Sequence, residues 1–205
     1  MLPLEIPPGT TLDTLFTEVL PRTHERLVPA LAGTDRFVVV SRVVGWKSFT
    51  MEIRGAVLLV REGEEPGANF WQVVTRETAQ RFLDDWLGDK RLAPAAHAKA
   101  TLVSLSDPRI LKRLSLVSGK VELALTDMTG GRMAMTVASG AAAKKEIHAD
   151  DPDVVIEAPS SALLRLLDGK LSPEDALVDG SVTIRGKKLV AMQLALALGP
   201  FYPKA

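Results

Sequence analysis

From residue 121 onward the apolar residues change their spacing, and that change dictates a mixed fold. Val121, Leu123 and Leu125 alternate with Glu122, Ala124 and Thr126, and Met133, Met135 and Val137 share one face of the stretch 132–138. Period two is the signature of a half-buried strand. Between the two runs, Met128-Thr129-Gly130-Gly131 supplies a hairpin turn, since glycine accepts the positive φ such turns require. A third short strand is expected over residues 153–157, after the turn-rich Ala149-Asp150-Asp151-Pro152. From Ser160 the spacing turns helical: Ser160-Ser161-Ala162-Leu163-Leu164-Arg165-Leu166-Leu167 has a serine cap before it and Gly169 after it. Ser172-Pro173-Glu174-Asp175 opens a further helix, with serine as cap, proline in the first helical position and acids against the dipole, and Gly180 ends it. A strand over 181–185 follows. The last segment, 187–198, is apolar nearly all round, so as a helix it must be buried on most sides.

The first half has the same order of elements. Strands are expected near 37–41, 48–54 and 56–60 and a helix around 77–87, after an opening helix over 12–31 that Pro21 and Pro29 break or kink. A shift of 84 positions, from residue 37 to residue 121, brings Phe49, Met51 and Ile53 onto Met133, Met135 and Val137. A shift of 79 lays Leu92-Ala93-Pro94 over Leu171-Ser172-Pro173 and Val103-Ser104-Leu105 over Val182-Thr183-Ile184. The pattern is that of an internal pseudo-duplication. The fold class is α+β: an antiparallel sheet per half, covered on one face by helices, with a division into residues 1–118 and 119–205, or one fused unit.

Much chemistry is excluded by what the chain lacks. Lys plus Arg and Asp plus Glu are both 25, so net charge is zero and there is no electrostatic footprint for nucleic acid. With no cysteine, a disulfide framework, a zinc–thiolate site or a thiol nucleophile is ruled out. His24, His97 and His148 stand too far apart to form a local ligand set, and no phosphate-binding loop or GxSxG elbow occurs. Glu62-Glu64-Glu65 beside Pro66-Gly67, the pair Asp84-Asp85, and Asp150-Asp151-Asp153 around Pro152 read as solvated groups, and their spacing fails that of a calcium loop. No catalytic residue, metal or cofactor is expected. The N-terminus has neither a basic region nor a long apolar run, and the longest uncharged apolar stretch, 189–203, is shorter than the roughly 18–20 residues a membrane span needs. A cytoplasmic location is the expectation.

The stretch Asp153-Val154-Val155-Ile156, Leu163-Leu164, Leu167-Asp168-Gly169-Lys170-Leu171-Ser172-Pro173, Ala176-Leu177, Gly180-Ser181-Val182-Thr183-Ile184-Arg185-Gly186, Ala191-Met192 resembles the sterol carrier protein type-two domain family. The resemblance reaches back to about Lys120 and, more loosely, to about Leu12. It implies a curved sheet whose helices enclose an apolar tunnel. Members of that family bind sterols, fatty acids, fatty acyl chains and other lipids and move them without chemistry, while others serve as accessory or dimerising domains. One departure is the absence of a clear long helix before Lys120; either residues 108–117 stand in for it or the first half supplies the cover.

On this resemblance the expected function is non-enzymatic binding, and transfer, of an apolar ligand in a tunnel of the C-terminal half. The alternative is a ligand-free interaction or dimerisation domain. The residues expected to contact lipid, from the faces turned inward, are Met133, Met135, Val137, Leu163, Leu167, Val182, Ile184, Leu189 and Met192, with Gln193 as the nearest amide for a polar head. The partner is then an apolar small molecule, with transient membrane contact and a homodimer as further associations. The aromatic residues agree with this placement. Trp46, Trp71, Trp86, Phe37, Phe49, Phe70 and Phe82 all lie in the first half, whereas residues 87–200 contain no Phe, Trp or Tyr. Aromatics fill volume, so the first half is expected to pack its own interior and the methionine-bearing second half to leave room.

Overall fold

A computed structural model describes residues 6–27, 36–87, 113–128, 130–139, 152–167 and 170–198. Its first element, α1, is a continuous helix of three pieces: Leu12–Thr14, a π-helical turn Leu15–Val19, and Leu20–Leu27. Thr11 and Thr14 close its start with a reciprocal capping box. The helix runs through Pro21 because the wide turn immediately precedes it: Leu20 N–H reaches back five residues to the Leu15 carbonyl, easing the crowding a proline ring brings. Residues 28–31, the rest of the expected opening helix, lie outside the described residues.

Eight strands follow, β1 (Phe37–Val44), β2 (Ser48–Arg54), β3 (Val57–Glu62), β4 (Phe70–Thr75), β5 (Lys120–Leu125), β6 (Met133–Ser139), β7 (Val154–Ala158) and β8 (Thr183–Gly186). After β4 comes α2, made of Arg76–Arg81 and a π-helical continuation Phe82–Leu87. Three further helices are α3 (Ser160–Leu167), α4 (Pro173–Val178) and α5 (Lys188–Leu198). The strand β4 was not among the expected elements, although its aromatic and β-branched residues, Phe-Trp-Gln-Val-Val-Thr, carry a strand signal. Ser172 caps α4 as its sequence requires, accepting a bond from the Asp175 N–H at 3.0 Å.

The strands form one sheet in the order β3-β2-β1-β4-β6-β5-β7-β8, not a sheet per half. Nor is it antiparallel throughout: β1 pairs in parallel with β4, and β5 with β7. The free side of β6 is taken by β4, so β7 lies beyond β5 instead; β5 and β7, two chain reversals apart, then run in the same direction. Each half contains the same three-strand unit, β2-β1-β4 and β6-β5-β7, with one antiparallel and one parallel pairing about its central strand. Residues 92–105, which carry the first-half side of the second repeat match, lie outside the described residues.

Helices cover one face. Under α5, Val121, Val137 and Val154 pack with Val190, Ala191, Leu194 and Ala197, joined by Leu114 and Val117 from just before β5. Under α1 and α2, Phe49, Val43 and Val74 pack with Leu12, Leu15, Phe16, Ala79 and Leu83, and Phe16 stacks on Phe49 at 4.4 Å. The opposite face of the second half is charged: Arg132 pairs with Glu122 and Glu157, and Arg185 with Glu157 at 2.7 Å. In β1 the run Phe37-Val38-Val39-Val40 does not alternate, and the strand is buried on both sides, with Val38 and Val40 against Val73, Trp71 and Ala138.

The last helix departs from expectation. It is buried on one face only, and Leu189, Met192 and Leu196 are 67%, 60% and 72% exposed. An apolar composition all round does not say which side meets the sheet; the side with smaller residues, Ala191 and Ala197 beside Val190 and Leu194, makes the close approach. Among the described residues no helix is long and apolar enough to cross a membrane.

Candidate functional site

A cavity of about 540 Å³ lies over the middle of the sheet. Its floor is Met51 of β2, Gln72 and Val74 of β4, residues 123–125 of β5, residues 133–135 of β6, and Ile156 and Ala158 of β7. The walls come from Leu12, Leu15, Phe16 and Leu20 of α1, Thr78, Ala79 and Phe82 of α2, and Leu163 of α3. The spacing 12, 15, 16, 20 is one stripe of a helix, so the apolar face of α1 reaches both the core and the cavity.

The end wall α3 is held by a single carboxylate. Asp127, in the turn after β5, accepts the Ser160 N–H at 2.6 Å and the Ser160 hydroxyl at 2.8 Å. Partial burial opposes its ionisation, but these bonds and others from the backbone win and keep the Asp127 carboxyl below its ordinary range. Arg81 of α2 donates to the Gly131 carbonyl at 2.7 Å, tying the wall α2 to the hairpin between β5 and β6. Both contacts place the chain around the Met133 end of the cavity.

Of the residues expected to contact lipid, the structure brings together Met133, Met135 and Leu163 on the cavity. Val137 shares their face of β6 but is buried beneath α5. Ile184 is half-buried against that same packed layer, and Val182 rests on Ala162, Leu166, Leu171 and Ala176 between α3 and α4. Leu189 and Met192 lie on the exposed side of α5. The Leu167 side chain lies outside the described residues. Gln193 is committed elsewhere: its Oε1 accepts from the Ser118 N–H at 3.1 Å and the Ser118 hydroxyl at 3.2 Å.

The cavity also departs from a pocket confined to the second half, since Phe16, Met51, Gln72, Val74, Phe82 and others come from the first. Over the cavity the first half supplies cover, while Leu114 and Val117, from the stretch 108–117, pack beside β5 under α5, and residues 108–112 lie outside the described residues. The residues of α1 were legible as an apolar stripe, but nothing local tells that β4 lies beside β6, and that pairing is what brings Gln72 to the floor.

No charged side chain lines the cavity among the described residues, and the polar ones are Gln72 and Thr78. The Thr78 hydroxyl is bonded to that of Thr75 at 3.0 Å. Such a surface can hold an apolar molecule by burial and offers neither a nucleophile–base pair nor a cluster of carboxylates and imidazoles.

Residues 99–199 match the model of the SCP-2 sterol transfer family. Among solved structures, the chain is similar to the sterol carrier protein domain 2 of Helicoverpa armigera (18% identity, TM-score 0.41), covering 54% of this chain and 87% of that one. It is also similar to sterol carrier protein 2 like 2 from Aedes aegypti (21%, TM-score 0.33, 59% and 96%). A third is sterol carrier protein 2 from Yarrowia lipolytica in its apo form (14%, TM-score 0.34, 49% and 85%). No curated protein matches the chain. The strands β5 to β8 and the helices α3 to α5, which build one end of the cavity and the core beside it, fall within the segment 99–199 that matches the SCP-2 sterol transfer family model.

Proposed function

We propose that this protein binds an apolar molecule in the cavity between its two halves and carries it without chemical change. The observation that carries the reading is the cavity itself: about 540 Å³, with a lining that is apolar apart from Gln72 and Thr78 among the described residues. That volume falls within the ~300–1,000 Å³ usual for small-molecule sites. Burial of the ligand's apolar surface would supply the affinity, at ~25 cal/mol per Å² before the costs of association. Met51, Met133 and Met135 suit a ligand of irregular outline, because unbranched thioether side chains repack at little cost. The match of residues 99–199 to a sterol transfer family model supports the same reading.

Native mass spectrometry of the gently purified protein tests it. A bound molecule of roughly a few hundred daltons, lost on denaturation, is the expected result. A protein that stays at its sequence mass after incubation with sterols, fatty alcohols and fatty acids would refute it.

The exposed stripe Leu189, Met192 and Leu196 on α5 favours a second reading, an interaction or dimerisation domain. Exposed apolar rows of this kind mark association surfaces more often than isolated apolar residues do. The same native spectrum reads it: a dimer that Leu189→Gln together with Leu196→Gln converts to monomer supports it, and a monomer at every concentration removes it.

A further inference from the structure

The polar groups of the cavity are few, and they are uncharged. Gln72 lies half-buried on its floor, and its side-chain amide has no hydrogen-bond partner among the described residues. Its neighbour across the parallel pair β1–β4 is Ser41, fully buried, whose Oγ is likewise unpartnered among the described residues. Two adjacent positions in an apolar layer thus hold polar groups without a partner among the described residues. A buried hydroxyl without a partner costs stability, and half-buried Gln72 beside it holds its amide at the cavity surface, where it can meet a polar atom of a ligand.

The cations nearest in sequence to the lining are turned away from it. Arg81, beside Phe82, donates to the Gly131 and Arg132 carbonyls in the hairpin. Arg132, beside Met133, pairs with Glu122 and Glu157 on the opposite face of the sheet. An ionised carboxylate brought to this floor would lose its hydration and meet no positive charge among the described lining residues, the costliest way to bury a polar group. A hydroxyl or carbonyl would find in Gln72 a group that both donates and accepts.

We infer that Gln72 is the residue that selects the ligand's polar end, and that the ligand is an amphiphile with a neutral hydroxyl or carbonyl rather than an ionised acid. This rests on the carrier reading given above. Gln72 lies outside the segment 99–199, so the specificity of the family domain would come from the part of the chain that precedes it.

The test uses the full chain stripped of lipid, with diphenylhexatriene, a hydrocarbon fluorophore that makes no hydrogen bonds, as reporter. Dodecanol and dodecanoate then compete for it at about pH 8, where the acid is fully ionised. Dodecanol is expected to displace the reporter at a concentration at least tenfold lower than dodecanoate (about 1.4 kcal/mol per factor of ten). In Gln72→Leu the reporter should bind as before while dodecanol weakens by about 3- to 10-fold, the loss of one hydrogen bond. In Gln72→Lys dodecanoate should gain. Dodecanoate competing as well as dodecanol in the wild-type protein, or an unchanged dodecanol affinity in a Gln72→Leu protein that still binds the reporter, would overturn the inference and leave the carrier reading standing. Should Gln72→Leu fail to bind the reporter, the wild-type ranking decides alone. Failure of the wild-type protein to bind reporter, alcohol and acid alike would overturn the carrier reading, and the inference with it.

Discussion

His24 sits in α1 with no exposed surface, and its Nε2 is 2.9 Å from the Gly55 carbonyl in the turn between β2 and β3. That contact makes Nε2 the donor, which leaves Nδ1 as a bare acceptor with no partner among the described residues. Burial therefore pushes the imidazole below its ordinary 6.5, the Gly55 bond opposing it only in part. The unfolded chain then takes up a proton at a higher pH than the folded one, so His24 favours the folded state above about pH 6.5 and disfavours it as pH falls below that value. Denaturant midpoints measured between about pH 8 and pH 5 should decline through this window, and His24→Gln, which keeps a donor for Gly55, should flatten the decline. A second residue-scale test concerns Leu163, half-buried on the cavity wall. Leu163→Trp should abolish uptake of diphenylhexatriene because the indole occupies the space, at a smaller stability loss than the ~1–3 kcal/mol of an overpacked core. The same enlargement at Val154, fully buried under α5, should incur that loss in full, as read from urea midpoints.

Elements are joined here by a few polar clamps, and the clearest is at the start of α5. Asp153 accepts the Lys120 N–H at 2.9 Å through one oxygen and the Lys187 ammonium at 2.6 Å through the other, so the start of β5, the approach to β7 and the exit from β8 meet at one carboxylate. These bonds hold the Asp153 carboxyl below its usual range. Gly186 is the residue that permits this meeting: its φ is +97°, and a Cβ there would lie 2.4 Å from the Asp153 carbonyl oxygen. Gly186→Ala combines a strained backbone with a clash against main chain, and it should destabilise the protein by more than about 1 kcal/mol, measured by urea unfolding. The glycine that closes the family-like pattern at Ile184-Arg185-Gly186 was readable in the sequence; its reason is this close approach. By contrast, the orientation of α5 was not readable. A helix apolar on nearly every side carries no periodic signal, so Leu189 and Met192 gave no indication that they face outward.

At the scale of the molecule, the two halves share a sheet and a cavity. The seam is the antiparallel pairing of β4 with β6, Gln72 opposite Val137 and Trp71 opposite Ala138. Residues 113–205 alone would leave the β6 edge unpaired and uncover Leu123, Met135 and Ile156, which line the cavity. An exposed edge beside bare apolar side chains promotes association. The isolated segment is therefore expected to aggregate or form oligomers in size-exclusion chromatography and to lose diphenylhexatriene uptake, whereas the full chain retains it. Retention of uptake by the isolated segment would place the binding space within the family domain alone.

Met133, Met135 and Leu163 were legible as inward-facing from periodicity and family likeness, and so were the strands β5 to β8, the capped helices α3 and α4, and the α+β class. These are local properties: period two, period 3.6, a serine cap, a glycine at a turn are each decided within a few residues by backbone sterics and hydrogen bonding. The sequence by itself determined that much. Which strand lies beside which, why Val137 packs under α5 while Met135 meets a cavity, and how Gln72 comes to its floor depend on pairings between residues far apart in the chain. Those pairings are settled by the mutual burial of whole faces, and only the tertiary structure decided them.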